Sequence, residues 1–283
     1  MPLLVIAVAT LLVIGALCAP PVLAARRRKA LRSRPFPAAW EAILRERVPQ
    51  AALLPRDLGV RLREHIQVLV AEKAFIGCDG LQVTDEMRVT IAAQAALLVL
   101  GGRTHYFPEL RQILVYPAAF IVDRVRAEPS GVMQEQRQVL SGESWSQGQV
   151  ILSWEDVLAG AAVADDGRNV VIHEFAHQLD QETGRANGAP RLVTRERYAR
   201  WSEVLGREFA RLSHEAAWQV PSLFSYYGAT DPGEFFAVVS EVFFEQAPRM
   251  ALEYPELYRE LREYYGVDPQ SWPQGAPRTA AYT

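Results

Sequence analysis

Val170-Val171-Ile172-His173-Glu174-Phe175-Ala176-His177-Gln178-Leu179-Asp180 governs the reading of the whole 283-residue chain. Asp165-Asp166-Gly167 just before it reads as a helix start. Val170, Val171, Ile172, Phe175 and Leu179 embed that helix in a core. On a helix, His173 and His177 are one turn apart on one face. That separation lets two imidazoles hold one zinc ion, with Zn–N bonds of about 2.0–2.1 Å. Glu174 is rotated by about 100° from His173 and points beside the ion, placed to deprotonate a bound water rather than to ligate. Without a metal, two histidines and a glutamate on a buried helix would be costly polar groups to satisfy. The apolar wall around them strengthens a cation's field.

A catalytic zinc takes three protein ligands and keeps one position open. The extended metzincin pattern needs Gly where Asp180 stands and His where Thr183 stands, so it is excluded. His214, in Leu212-Ser213-His214-Glu215, reads as part of an exposed helix end. The segment from Tyr226 to Glu241 is the better source. There Asp231 caps a helix and Pro232 takes its first position. Glu234 and Glu241 lie on one face of it, about 10.5 Å apart along the axis, so both cannot bind one ion. Glu234 also has the spacing of a capping-box carboxylate, and Glu241 that of a buried carboxylate paired with a histidine or arginine. Spacing alone leaves the two equal. Asp180 reads either as an acceptor for a ligand imidazole or as an exposed helix-end carboxylate.

Several stretches carry a resemblance. Ile172 to Asp180 and Tyr227-Gly-Ala-Thr-Asp-Pro-Gly-Glu-Phe-Phe-Ala-Val-Val-Ser-Glu241 are similar to the Mlc titration factor A family of bacterial zinc peptidases. So are Ala71 to Phe75, Gly80 to Arg88, Ile91 to Ala95 and Val115-Tyr-Pro117, and the likeness runs over roughly residues 35 to 270. The resemblance implies that Glu234, in the Asp-Pro-x-Glu motif, is the third ligand, and that Tyr227 assists catalysis. It implies a gluzincin-like α+β domain with the metal helix under a sheet. It also links the family to a glucose-responsive transcription repressor, a partner that no residue here specifies. The apolar N-terminus and its arginine cluster lie outside that family pattern.

The expected function is therefore zinc-dependent hydrolysis of a peptide or protein substrate, with one zinc per chain. His173, His177 and Glu234 are the metal ligands, and Glu174 and Tyr227 the catalytic residues. Endo- and exopeptidase action, aminopeptidase included, both stay open. The alternative is a zinc-containing scaffold that binds and sequesters a transcription regulator. A rival enzyme, a deformylase-like hydrolase with Cys78 as ligand, rests only on Gly77-Cys78-Asp79.

Composition is that of an ordinary globular protein, 49% hydrophobic and 22% charged. Two cysteines, Cys18 and Cys78, argue against a disulfide framework. The net charge of -3 hides six basic residues between Arg26 and Arg34, and the remainder is acidic, which excludes a nucleic-acid binder. Leu3 to Ala25 carries no charge, and its 23 residues at about 1.5 Å each could cross a bilayer core. A membrane anchor over residues 1–25 is expected, with the arginines and the domain on the cytoplasmic side of a bacterial inner membrane. A cleaved signal peptide, a peripheral apolar tail or a cytoplasmic chain are the alternatives. A basic linker would follow over 26–37, the peptidase domain over 38–270 and a tail over 271–283.

Within the domain, Leu58, Leu62, Ile66, Leu69 and Val70 predict a helix over Asp57 to Ala74. Thr84-Asp85-Glu86 predicts a second one, running to Gly101-Gly102. Ile113 to Val122 reads as a strand despite Pro117, and Gln136 to Trp145 with Gln147 to Trp154 as a hairpin. Helical patterns dominate from Glu155 onward. The mixture predicts an α+β fold.

Overall fold

The computed structural model describes residues 19–102, 106–127, 133–140, 142–145, 148–184 and 186–273, with 120–147 described by backbone alone. Among these, α1 covers residues 19–32, followed by α2 (Ala38–Arg47), α3 (Arg56–Glu72), β1 (Ala74–Gly77) and α4 (Asp85–Leu97). Then come β2 (Gln112–Tyr116), β3 (Phe120–Ala127), β4 (Met133–Leu140), β5 (Gly142–Trp145) and β6 (Gln149–Ser153). The rest is helical: α5 (Trp154–Ala162), α6 (Val170–Asp180), α7 (Arg195–Ala217), α8 (Pro232–Glu245), α9 (Ala247–Glu253) and α10 (Pro255–Tyr265).

The expected α+β class is corrected. The described chain is mostly helical, with a small sheet of three parallel strands, β1-β2-β6, and β5 antiparallel on the edge beyond β6. Parallel neighbours need a crossover, and α4 supplies it between β1 and β2. α3 stops at Glu72 because Lys73 turns into extended backbone. The Lys73 ammonium, buried and pushed down to about 8, donates to the carbonyls of Phe107 (2.6 Å) and Leu110 (2.8 Å). It thereby ties the entry of β1 to the entry of β2.

The strand expected over Ile113 to Val122 is two strands. Pro117 has no N–H to give the ladder, so β2 ends at Tyr116 and Val122 falls in β3, which pairs with β4 as a separate ribbon. Of the hairpin expected from Gln136 to Trp145 and Gln147 to Trp154, only β5 and β6 pair, with Trp145 opposite Gln149, while Gln136 to Leu140 falls in β4 of the separate ribbon.

The core lies among α4, α6 and α8. Thr84 caps α4, its hydroxyl accepting from the Met87 amide. Val89, Ile91, Ala92, Ala93, Ala95, Ala96 and Leu97 are buried around its circumference, as expected for a helix with protein on every side. α6 packs against α8, α4 and α5 and against β5 and β6.

The anchor and the inner-membrane location are also corrected. No helix among the described residues is long and apolar enough to cross a membrane. The first 18 residues, where most of the apolar run falls, lie outside the described residues. The part that is described runs as α1 into the arginine cluster, and Arg28 of that cluster engages the domain. Arg28 makes a two-armed ion pair with Glu72 at the end of α3 (2.8 and 2.9 Å), its guanidinium 4.9 Å from the Tyr106 ring centre. Arg28 is thus held by a protein carboxylate and an aromatic ring rather than left to solvent.

Candidate metal centre

α6 begins two residues later than the Asp165-Asp166-Gly167 start suggests. Asn169 is its cap, in extended conformation, with Oδ1 accepting from the Ile172 amide at 3.0 Å. Val171, Ile172, Phe175 and Ala176 are buried, and Phe175 stands edge-on to Phe107 with ring centres 4.8 Å apart. The opposite face presents His173 and His177, their rings 4.9 Å apart.

α8 supplies the facing carboxylates. Asp231 caps it, Oδ1 accepting from the amides of Gly233 (2.8 Å) and Glu234 (3.0 Å), and Pro232 fills the first turn. The Glu234 side chain turns away from the cap towards α6. Its Oε2 is 3.0 Å from His173 Nε2 and 3.3 Å from His177 Nε2. Among the described residues, His173, His177 and Glu234 form a group whose ligand atoms all lie within 4.8 Å of one another. Two ligand atoms on one tetrahedral zinc stand about 3.3 Å apart, given bonds of 2.0–2.1 Å. The donor set suits a zinc ion, and the two Glu234–histidine distances match that spacing.

Glu241 sits behind the group. Its Oε1 takes His173 Nδ1 at 2.8 Å, on the ring edge opposite Glu234. Its Oε2 accepts from the Asn169 amide at 2.5 Å. Burial pushes the His173 imidazole down, but the Glu241 charge and hydrogen bonds to Glu234 and Glu241 outweigh it and hold His173 well above the usual range. Burial likewise pushes Glu234 up, and the two histidines outweigh that, keeping its carboxyl well below the usual range.

Glu174, one residue on from His173, is buried at 5% exposure, and its charge helps raise His173. Tyr227 lies in a 3-10 turn over Tyr226–Ala229, half exposed, with its ring centre 6.0 Å from that of His173. Gly228 lets this turn sit close: a Cβ there would meet Leu212 and Val238 at 3.2 Å. So all five residues named from the sequence come together.

Other candidates do not join them. His214 is exposed on α7 beside Trp218, and half-buried Cys78 follows β1 and hydrogen-bonds with Tyr116. Asp180 is fully buried rather than an exposed helix end, and it accepts from the Gly188 amide at 2.7 Å. It thus pins the loop after α6, and burial pushes its carboxyl up to about 6. Asn169 and Glu245 escaped the sequence reading. The signal for Asn169 was available, because Asn directly before an apolar helical run is a strong cap residue.

This fold and site define a metallopeptidase, and the chain belongs to the family described as glucose-regulated metallo-peptidase M90, whose profile matches residues 22–266. It is similar to Mlc titration factor A of Cronobacter sakazakii, 34% identical over 236 residues that cover 82% of this chain and 87% of that protein. The Klebsiella pneumoniae protein of the same name is 34% identical over 233 residues, 81% of this chain and 86% of its own. An uncharacterized protein of Synechocystis is 41% identical over 244 residues, 86% and 89% of the two chains. Membership implies a metal ion, for which His173, His177 and Glu234 are a suitable group. The match opens at residue 22, so the arginine cluster falls inside the family pattern rather than outside it.

Proposed function

We propose that this chain is a zinc-dependent peptidase acting on a peptide or protein substrate, with His173, His177 and Glu234 as metal ligands, the ligand set of gluzincins. The observation that carries this reading is the convergence of two Nε2 atoms from α6, the helix that also holds Glu174, with one Glu234 oxygen from α8. A zinc ion held by these three residues would supply Lewis acidity and lower the pKa of a water to about 7. Glu174 takes the proton from the attacking water and later passes it to the leaving amine. The Tyr227 hydroxyl donates to the carbonyl oxygen as negative charge builds on it, a contribution of about 2.7–4 kcal/mol per donor in studied enzymes. Glu241 holds His173 through Nδ1, leaving Nε2 for the metal.

Emission spectrometry on purified protein should find about one zinc per chain. A fluorogenic peptide panel with free and blocked N-termini then separates aminopeptidase from endopeptidase action. Metal-free protein that hydrolyses the panel would overturn the reading. A second reading is favoured by the name of the relatives: the domain binds and sequesters a transcription regulator. In that case a Glu174→Gln variant would keep regulator binding while losing hydrolysis.

A further inference from the structure

Asn169 is 1% exposed, and every polar atom of its amide is used. Oδ1 accepts from the Ile172 amide at 3.0 Å, while Nδ2 donates to the Gly160 carbonyl in α5 (3.3 Å) and to Glu245 Oε1 in α8 (3.0 Å). Its backbone amide donates to Glu241 Oε2 at 2.5 Å, and the preceding amide, Arg168, donates to Glu245 Oε2 at 2.9 Å. Gly160 makes the approach possible, since a Cβ there would stand 3.2 Å from Asn169 Cα.

Two buried carboxylates one turn apart on α8 therefore grip the first residues of α6. A cap needs only an acceptor for Ile172, and Asp or Ser would provide one. The Nδ2 donor does something a cap does not: it fixes where α6 begins relative to α8. That register decides whether His173 and His177, four and eight residues on, face Glu234. Glu241 joins the two functions, with one oxygen on the clamp and the other on His173.

We propose that Asn169 and Glu245 are positioning residues of the metal centre, a clamp between α6 and α8 that sets the approach of Glu234 to the two histidines. The proposal rests on the metal reading above. Partners one step removed from ligands in metal sites typically change affinity by about 10–100-fold when lost.

Asn169→Asp separates capping from clamping, because it keeps an oxygen for Ile172 and removes the donor to Glu245. Zinc Kd is measured on the full chain by competition with a chromophoric chelator, alongside the melting temperature and far-UV spectrum of the metal-free form. Asn169→Asp should raise Kd by about 10–100-fold while the helical signal stays. Glu245→Ala reads the same contact from α8 and should do likewise if the Asp variant does not fold. Ser240→Ala, also on α8, is the control for general loosening, since it removes the 2.7 Å bond to Tyr265 at the end of α10. It should lower the melting temperature and leave Kd unchanged. Wild-type Kd in every folded clamp variant, or an equal rise in Ser240→Ala, would overturn the clamp. A wild-type chain that takes up no zinc would instead overturn the metal reading beneath it.

Discussion

Glu241 Oε1 lies 2.8 Å from His173 Nδ1, while Glu234 Oε2 lies 3.0 Å from Nε2 of the same ring. One imidazole thus separates two carboxylates seven residues apart on α8, the pair that spacing left as equal candidates. Glu234→Ala should abolish tight zinc binding, because it removes a ligand. Glu241→Ala should weaken binding by about 10–100-fold, because it removes an orienting partner. Chelator competition ranks them. A larger loss for Glu241→Ala would reverse the two assignments.

Cys78→Ser should leave both zinc content and hydrolysis at wild-type levels. Cys78 hydrogen-bonds with Tyr116 beyond β1 and is not part of the ligand group. Loss of metal in this variant would restore the deformylase-like alternative.

Tyr227→Phe should lower kcat by about 10²–10³-fold with zinc content and fold retained, the loss expected for one donor to a developing oxyanion. Its half-exposed ring adds little to the core, so the melting temperature should move little. An unchanged kcat would show that the ring beside His173 does not take part in the chemistry.

Glu245 gives a pH signature to the metal-free chain. Burial pushes its carboxyl up to about 9, Asp166 and Glu241 add to the rise, and hydrogen bonds from Asn169 and Arg168 oppose it. The unfolded group releases its proton near 4.5. Between those values the folded chain holds a proton that the unfolded chain has lost, so stability falls as pH rises. The slope is at most about 1.4 kcal/mol per pH unit, and the loss is complete above about 9. Urea unfolding at pH 5 and pH 8 should show wild type weakening more than Glu245→Gln. Parallel curves for the two would contradict a neutral Glu245.

The helices of the site were legible because their signals are local. Four-residue histidine spacing on an apolar run marks α6, and Asp231-Pro232 marks the start of α8 within a residue. Thr84 likewise marks the start of α4. The choice between Glu234 and Glu241 was not local, since it depends on how α8 crosses α6, and only the family likeness favoured one. β1 has four residues and follows α3 almost directly, too short a run to show period-two alternation. Strand order was invisible because parallel pairing joins segments far apart in sequence. The arginine cluster looked like a topology signal because charge counting cannot show that Arg28 already has Glu72 as its partner.

Glu174→Gln is the most direct test of the proposed function. The variant changes one buried carboxylate beside His173 and leaves all three proposed ligands in place. Zinc content and kcat/KM on a fluorogenic peptide are measured on the same preparations of wild type and variant. Retention of about one zinc with a fall of at least about 10²-fold in kcat/KM is the expected result for loss of a general base. Wild-type hydrolysis by a zinc-loaded Glu174→Gln chain would contradict it.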